Sequence, residues 1–479
     1  MQNSRIIEKI LQFFPYQPTL EQQSALTVLA DFICSADRNL LLLKGYAGTG
    51  KTSLLGALVK AMNFLRAKTV LMAPTGRAAK VFSEYANQKA YTIHKKIYRQ
   101  KRFSNDFAGF ELAENLNTHT LFIVDESSMI SNRPAGTYSF GSGYLLNDLV
   151  RYVSSGAHCK LILMGDTAQL PPVSETESPA LSIKSLKQYS PRISEITLTE
   201  VVRQDKESGI LFNATHIRES LRKAKCSLYP KIQLNPFPDM EKVNGENFVE
   251  TLATVYDRDG IDETMLICRS NKRAIQYNNG IRNRILYREE EISSGDRLMV
   301  VKNNYFWTEQ LEEMDFIANG EMVEVLRVRR TYTMYGFRFC DLLVRFQDYD
   351  LELDMRVLLD TLQDESPSLS KEQSDKLFYE VMEDYADIPA KAAKIKKLKS
   401  DPFFNAVQVK YAYAVTCHKA QGGQWKNVFL DIGFVTQEML GENFYRWLYT
   451  AVTRATHRLY FINLPDEFIG VRHALSLRY

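Results

Sequence analysis

The sequence predicts an α/β protein built on two parallel sheets, with a small all-β segment set into the second. Three observations carry this. In the first third, short apolar runs alternate with helical patterns. From about Glu195 the same alternation begins again. Between the later groups of strands, residues 295–346 read as strand only. Strands that alternate with helices pair in parallel, because each return to the sheet needs a crossover that covers one of its faces.

Leu40 to Leu43 is an apolar run that enters a glycine loop, followed by a helix from about Thr52 to Leu65. Thr69 to Ala73 is a second strand and Arg77 to Tyr85 its helix. Leu121 to Val124 is a third strand, and Leu161 to Met164 a fourth that ends at Gly165-Asp166. Glu195 to Arg203 opens the second region. Its strands are Met265 to Cys268, Tyr413 to Thr416, Val428 to Ile432 and Leu459 to Ile462. The all-β stretch contains Arg297 to Val301, Met322 to Arg327 and Phe337 to Phe346. Ser368 to Lys399 is polar and helical in character, with Lys391, Lys394, Lys396, Lys397 and Lys399 in one run. A charge run of this kind reads first as a solvated helix face.

The 479 residues are 45% hydrophobic, enough for more than one core. That length corresponds to roughly three domains. Net charge is only +3, from 60 Lys+Arg against 57 Asp+Glu, so a nucleic-acid partner has to be argued from a local groove and not from total charge. The six cysteines are scattered without a C-x-x-C pair, which argues against a zinc cluster or disulfide framework and fits a reducing cytoplasm. No apolar run approaches the roughly 18 residues of a membrane span, so no membrane partner is expected. Met1 to Gln12 mixes charged and apolar residues and lacks the apolar core of a signal peptide.

Gly45-Tyr46-Ala47-Gly48-Thr49-Gly50-Lys51-Thr52 matches G-x-x-x-x-G-K-[ST] between a strand and a helix, the context this phosphate loop requires. Its glycines let backbone N–H groups curl around phosphates, and the helix N-terminus beginning near Thr52 and Ser53 adds positive partial charge. Lys51 reaches the β- and γ-phosphates of ATP, and the Thr52 hydroxyl binds Mg²⁺. Asp125 and Glu126 end an apolar strand, at the edge where open α/β sheets bind ligands. Asp125 can hold Mg²⁺ through water, and Glu126 can orient or deprotonate an attacking water. Gln169, in Gly165-Asp-Thr-Ala-Gln169-Leu-Pro-Pro, can hydrogen-bond the γ-phosphate or that water. Gln22 follows Thr19 as [ST]-x-x-[EQ], which reads equally as a helix capping box and as an adenine contact. Arg203 and Arg454 stand beside the second group of strands. Phosphoryl transfer spreads negative charge over oxygens, so cations supplied from outside the loop accelerate it. His94 and His418 lack metal-ligand spacing and read as hydrogen-bonding or packing residues.

Taken together, the order of motifs resembles superfamily 1 helicases of the RecD/Dda branch, over most of the chain. Ala73-Pro-Thr75-Gly76-Arg77 looks like motif Ia, Thr92-Ile-His94-Lys95 like the Ib region and Asp125-Glu126 like motif II. Gly165 to Pro171 looks like motif III, Val202-Arg203-Gln204 like motif IV, Tyr413 to Gly422 like motif V and Tyr449 to Ala455 like motif VI. The resemblance implies two RecA-like domains with ATP in the cleft between them. The first would span 1–190 and the second 191–294 plus 405–479, with an SH3-like insert and its Lys-rich helical extension over 295–404. It also implies that Gln22 reads adenine, that Gly422 lies at the nucleotide, and that Arg203 and Arg454 are arginine fingers. Thr75, Thr92, His94, Thr416 and His418 would lie along a single-stranded DNA track. The implied enzyme is a monomer that moves 5′→3′ on single-stranded DNA and unwinds forks, in the setting of DNA repair or recombination. An RNA-directed helicase and a nucleotide-gated nucleic-acid scaffold are the rival readings. Some relatives carry a glutamate where this chain has Gln424, and the loop from Gly136 to Gly143 matches no part of the pattern.

Within residues 95–117, Tyr98 to Phe110 reads as a short hairpin, with Ser104-Asn-Asp as turn residues and aromatics on its arms. Relatives in this branch carry a small wedge at this point, which makes Phe103 or Phe107 the candidate to meet a DNA fork. The other reading puts these rings in the core of the first domain. Opening a DNA step costs ~1.4 kcal/mol of stacking, and base–aromatic stacking returns ~1 to 3 kcal/mol. Replacing Arg102 to Phe110 with a short Gly-Ser turn is therefore expected to leave DNA-stimulated ATP hydrolysis largely intact while unwinding falls steeply. Loss of both activities in a folded variant would assign the rings to the core.

Overall fold

The apolar runs become the central strands of two separate sheets in the computed structural model, which describes residues 2–100, 110–133, 141–201, 208–309, 311, 314, 316–347 and 351–470. Phe103, Phe107 and Arg203, and most of the Gly136 to Gly143 loop, lie outside the described residues.

The first sheet begins with β1 (Leu40–Gly45), β2 (Lys68–Ala73) and β3 (Ala90–Thr92). An antiparallel pair follows, β4 (Tyr98–Gln100) with β5 (Phe110–Leu112), in the register Tyr98↔Leu112. It brackets residues 101–109, where the hairpin is expected. The sheet then takes β6 (Thr120–Val124), β7 (Lys160–Gly165) and β8 (Ile193–Leu198), in the order β3-β2-β6-β7-β1-β8. Its pairings are all parallel. The β6 run is buried along its whole length, as expected of a strand covered on both faces.

β8 corrects the expected boundary at residue 190. Glu195 does not open the second region. Its strand pairs with β1, Leu40↔Ile193 through Gly45↔Leu198. The burial alternates, with Ser194, Ile196 and Leu198 inward and Glu195 and Thr197 exposed, which is the pattern of an edge strand. Glu195 is paired with Lys44 of β1 at 2.8 Å.

The second sheet contains β9 (Met240–Val243) and β10 (Thr264–Cys268), and is completed after the insert by β16, β17 and β18. β9 was not expected, since Met-Glu-Lys-Val carries no apolar run. The insert is a closed barrel of β11 (Arg297–Val300), β12 (Met322–Met334), β13 (Phe337–Phe346), β14 (Leu351–Leu358) and β15 (Val407–Tyr411). Tyr335 and Gly336, both at positive φ (56° and 71°), turn β12 into β13, as a two-residue hairpin requires. β15 corrects the expected end of the insert at 404. The chain runs from the barrel into β16 (Ala414–Thr416) with only Ala412 and Tyr413 between, so the two strands read as one run in sequence. β17 (Trp425–Leu430) and β18 (Ala455–Ile462) complete the parallel order β16-β10-β17-β18-β9. The polar stretch between β14 and β15 forms helices Lys371–Glu383 and Lys391–Lys399. They cover the barrel through Leu377, Val381 and Leu398, packed on Phe337, Phe339 and Leu358.

Barrel and second sheet are pinned together by one buried carboxylate. Asp296 is 0% exposed. It accepts from Arg282 (Nε and Nη2, both 3.0 Å), Arg288 (2.7 Å), the Tyr413 hydroxyl (2.9 Å) and the Ser293 N–H (2.7 Å). Removing one partner of such a cluster leaves charge buried without compensation. Asp296→Ala is expected to lower unfolding stability by about 3 to 5 kcal/mol, read as the urea midpoint at unchanged slope. A midpoint within error of the parent would mean that the arginines find water in its place.

Candidate active site

The phosphate loop leaves β1 at Gly45 and turns at Gly48 (φ +75°) and Gly50 (φ +78°), both in the left-handed region that glycine adopts without cost. A Cβ on Gly45 would stand 2.8 Å from the Lys51 side chain. Helix Lys51–Phe64 starts immediately after Gly50, so its first N–H groups have no partner in the helix and face the loop. The Lys51 ammonium donates to the Tyr46 carbonyl at 2.7 Å, and the Thr49 hydroxyl donates to the same oxygen at 2.8 Å.

Gln22 serves the capping box and the loop together. Its Oε1 accepts from the Thr19 N–H at 3.0 Å, and its Nε2 donates to the Thr49 carbonyl at 3.0 Å. It is 2% exposed and holds the phosphate loop from behind.

A cavity of about 710 Å³ opens over the loop, within the ~300 to 1,000 Å³ of small-ligand sites. Tyr46, Ala47, Gly48, Gly50, Lys51 and Thr52 line it, together with Asp125, Glu126 and Gln169 from the first sheet. From the second side come Gly422 and Arg454. Gly45, Gln22, Thr49 and Ser53 are not among its lining residues.

Glu126 sits at φ +50°, left-handed for a residue with a long side chain. Such strain costs about 1 to 3 kcal/mol and clusters at functional sites. Burial pushes the Glu126 carboxyl up, and the charges of Arg454 and Lys51 pull it back down. Burial also raises Asp125, opposed by the Tyr85 hydroxyl at 2.5 Å and the Glu126 N–H at 2.7 Å. Tyr85, on helix Gly76–Ala86, was not singled out in the sequence, because nothing in its spacing ties it to residue 125.

Arg454 is 2% exposed. Its guanidinium donates to the carbonyls of Thr450 (3.0 Å) and Gly423 (3.1 Å), which fixes the fork in the cleft. The Gln169 Oε1 is buried with no hydrogen-bond partner among the described residues, an acceptor at the wall of the cavity. Left-handed glycines, a free helix N-terminus and Lys51 fit a triphosphate. The Asp125 carboxylate and Thr52 hydroxyl on the same wall supply the oxygen donors that Mg²⁺ prefers.

The expected strand-track residues are not in the cavity. Thr75 and Thr92 cap helices, accepting from the N–H groups of Ala78 and Lys95, each at 3.2 Å. A Cβ on Gly422 would meet the Thr75 hydroxyl at 3.0 Å, so the two sides touch there. Thr416 begins helix Cys417–Ala420 at the end of β16, and His418 is exposed on it. His94 lies against Tyr98 and Phe316, and burial pushes its imidazole down to about 4, so it is neutral near pH 7.

Residues 20–230 match the family model described as an AAA domain, and residues 411–462 match the UvrD-like helicase C-terminal domain. The ATP-dependent RecD2 DNA helicase of Deinococcus radiodurans is 25% identical over 453 residues, 92% of this chain and 48% of that protein. The ATP-dependent DNA helicase dda of Enterobacteria phage T4 is 23% identical over 448 residues, 88% of this chain and 93% of that one. These matches support a superfamily 1 helicase of the RecD/Dda type. An uncharacterized protein of Acanthamoeba polyphaga mimivirus is 22% identical over 92% of this chain and 99% of its own length. Among solved structures, Bacteroides Pif1 helicase in complex with ADP-AlF3 and ssDNA has a TM-score of 0.47 at 16% identity, with 96% of each chain covered. The chain thus spans about half the length of the RecD2 relative. The likenesses support an ATP-hydrolysing enzyme, and the fold supplies two parallel sheets with a barrel insert. Among the described residues, no helix is long and apolar enough to cross a membrane.

The geometry sets the expected outcome at each position. Lys51→Ala removes the loop's cation and should abolish most nucleotide binding. Glu126→Gln should keep binding but slow turnover by ~10² to 10⁴, because a carboxamide is not a base. Wild-type turnover in Glu126→Gln, at equal nucleotide affinity, would remove Glu126 from the chemistry.

Proposed function

We propose that this chain is an ATP-dependent DNA helicase that moves 5′→3′ along single-stranded DNA and couples each ATP hydrolysed to duplex unwinding. The observation that carries the reading is the shared cavity, in which Lys51 and Glu126 from one sheet meet Arg454 from the other.

In this reading the N–H groups from Gly48 to Ser53 and the Lys51 ammonium hold the phosphates. The Thr52 hydroxyl and Asp125 carboxylate would hold Mg²⁺, which would supply charge neutralisation at the phosphates. Glu126 takes the proton of the attacking water, and Gln169 orients that water through its unpartnered oxygen. Arg454, joined by Arg203, stabilises the charge that spreads over the transferred phosphoryl group. Gln22 sets the shape of the loop from behind, through the Thr49 carbonyl. Gly422 lets motif V approach Thr75 closely. Hydrolysis then alters the fit of the two sheets, and Thr75, Thr92, His94, Thr416 and His418 pass a single strand between them. Phe103 or Phe107 divides the fork. On this reading the first RecA-like domain runs to about residue 198. The barrel spans 295–411 with its helical cover, and the second domain takes the remainder. The protein works as a monomer in a reducing cytoplasm, in keeping with its six free thiols.

Polarity rests on the kinship with RecD2 and Dda, since neither spacing nor composition shows direction. ATP turnover is expected to rise on adding single-stranded DNA more than on adding matched RNA. 5′-tailed duplexes should be unwound and 3′-tailed ones left intact. Unwinding only of 3′-tailed duplexes would reverse the direction, and a stronger response to RNA would change the substrate.

A further inference from the structure

Helix Glu442–Val452 carries Arg454 just beyond its C-terminus and belongs to the second domain, yet one of its faces is bonded along its length to the first. Positions 446, 449 and 450 share that face by helical spacing. The Arg446 guanidinium donates to the carbonyls of Thr167 and Gln169. The Thr450 hydroxyl accepts from the Leu170 N–H at 2.8 Å, and Gln421 donates to the Leu170 carbonyl at 2.8 Å. Between them the Tyr449 hydroxyl makes two bonds. It donates to Asp166 Oδ2 at 2.6 Å and accepts from the Ala47 N–H at 2.9 Å. Asp166 Oδ1 in turn accepts from the Ala168 N–H at 2.8 Å.

The direction of these bonds is determined by chemistry. Tyr449 is 1% exposed. Burial and the Asp166 carboxylate hold its proton on the phenol oxygen well above the ordinary range. The oxygen therefore donates to the carboxylate and has only lone pairs to offer the phosphate loop. A phenylalanine would fill the same volume and make neither bond. When the two sheets part, both bonds break together and the carboxylate and the loop N–H lose the phenol as a shared partner.

We propose that Tyr449 is a positioning residue for ATP: its hydroxyl fastens the phosphate loop at Ala47 and the Gln169-bearing loop at Asp166 to the helix that carries Arg454, so the loop holds its phosphate-binding shape only while the cleft is closed. The proposal rests on the reading of the cavity as the ATP site, and it names the residue through which cleft closure and nucleotide affinity become one event.

The test compares two phenylalanine variants on the same helix. Tyr445, also buried, donates to the Leu228 carbonyl at 2.7 Å within its own domain, so Tyr445→Phe loses a buried hydrogen bond without touching the first sheet. A hydrogen bond to a charged group is worth about tenfold or more in an equilibrium constant. Tyr449→Phe is therefore expected to raise the Kd for a fluorescent N-methylanthraniloyl ADP, and the KM for ATP, by about tenfold, with a smaller fall in kcat. Tyr445→Phe should lower the melting temperature to a similar degree and leave Kd and KM at the wild-type values. Asp166→Ala, which removes the acceptor, should shift Kd and KM in the same direction as Tyr449→Phe, and the double variant should be no worse than the larger single effect, since both act through one link. If Tyr449→Phe does not fold, Asp166→Ala carries the same expectation alone. Unchanged Kd and KM in the folded variants, or equal shifts in Tyr445→Phe, overturn the proposal. Failure of the wild type to bind the fluorescent nucleotide overturns the cavity reading itself, and the proposal with it.

Discussion

A carboxylate half-buried at the cavity wall, as Glu126 is, needs an opposing charge, and the strongest one comes from Arg454 on the other side of the cleft. That requirement organises the molecule. Desolvation favours the neutral carboxyl, whereas the guanidinium favours the charged form that can accept a proton from water. Docking of the second domain therefore shifts Glu126 toward the charged form. The Arg454 guanidinium depends on its own surroundings in turn, held by the carbonyls of Thr450 and Gly423. Each half of the cavity is incomplete without the other, since Lys51 and Glu126 come from one side and Arg454 from the other.

Other polar contacts reinforce the docking and share the same economy of means. Thr75 caps the helix after β2 and also abuts Gly422 of the second domain. Arg77, two residues on, donates to the Gln424 carbonyl at 2.9 Å and stacks over the Trp425 ring at 4.3 Å. Gln22 completes a capping box while it braces the phosphate loop. In each case a residue needed for local structure has a second bond available, and the tertiary fold uses it at the nucleotide cleft. For Gln22 the capping box is present, and the other end of the carboxamide bonds the Thr49 carbonyl.

The barrel insert is held by a different device. Asp296 gathers Arg282, Arg288 and Tyr413 in a dry cluster, where helix Asn271–Arg284 meets the first barrel strand. The strand β15 continues almost directly into β16, so the barrel and the second sheet share a stretch of chain as well as this cluster.

How far the sequence reached follows from the range of the interactions involved. Local chemistry was legible. The glycine loop needs glycines at positive φ, the strand ends need apolar runs before Asp125-Glu126 and Asp166, and the helix after Thr19 needs its cap. All of these are set by residues within a few positions of one another, and the α/β alternation with its all-β insert follows from the same periodicities. The sheet to which an edge strand such as Ile193–Leu198 belongs was not legible, since its alternation fits any edge. The barrel's fifth strand was hidden because Val407 to Thr416 reads as one run. Tyr85 at Asp125, and Tyr449 between Asp166 and Ala47, lie 40, 283 and 402 positions from the residues they bond. No spacing rule reaches that far. The sequence by itself determined which chemical groups are present and how each loop is shaped. Only the tertiary structure decided which of them meet, because a buried hydrogen bond forms between groups that packing brings within 3 Å, and packing is a property of the whole chain.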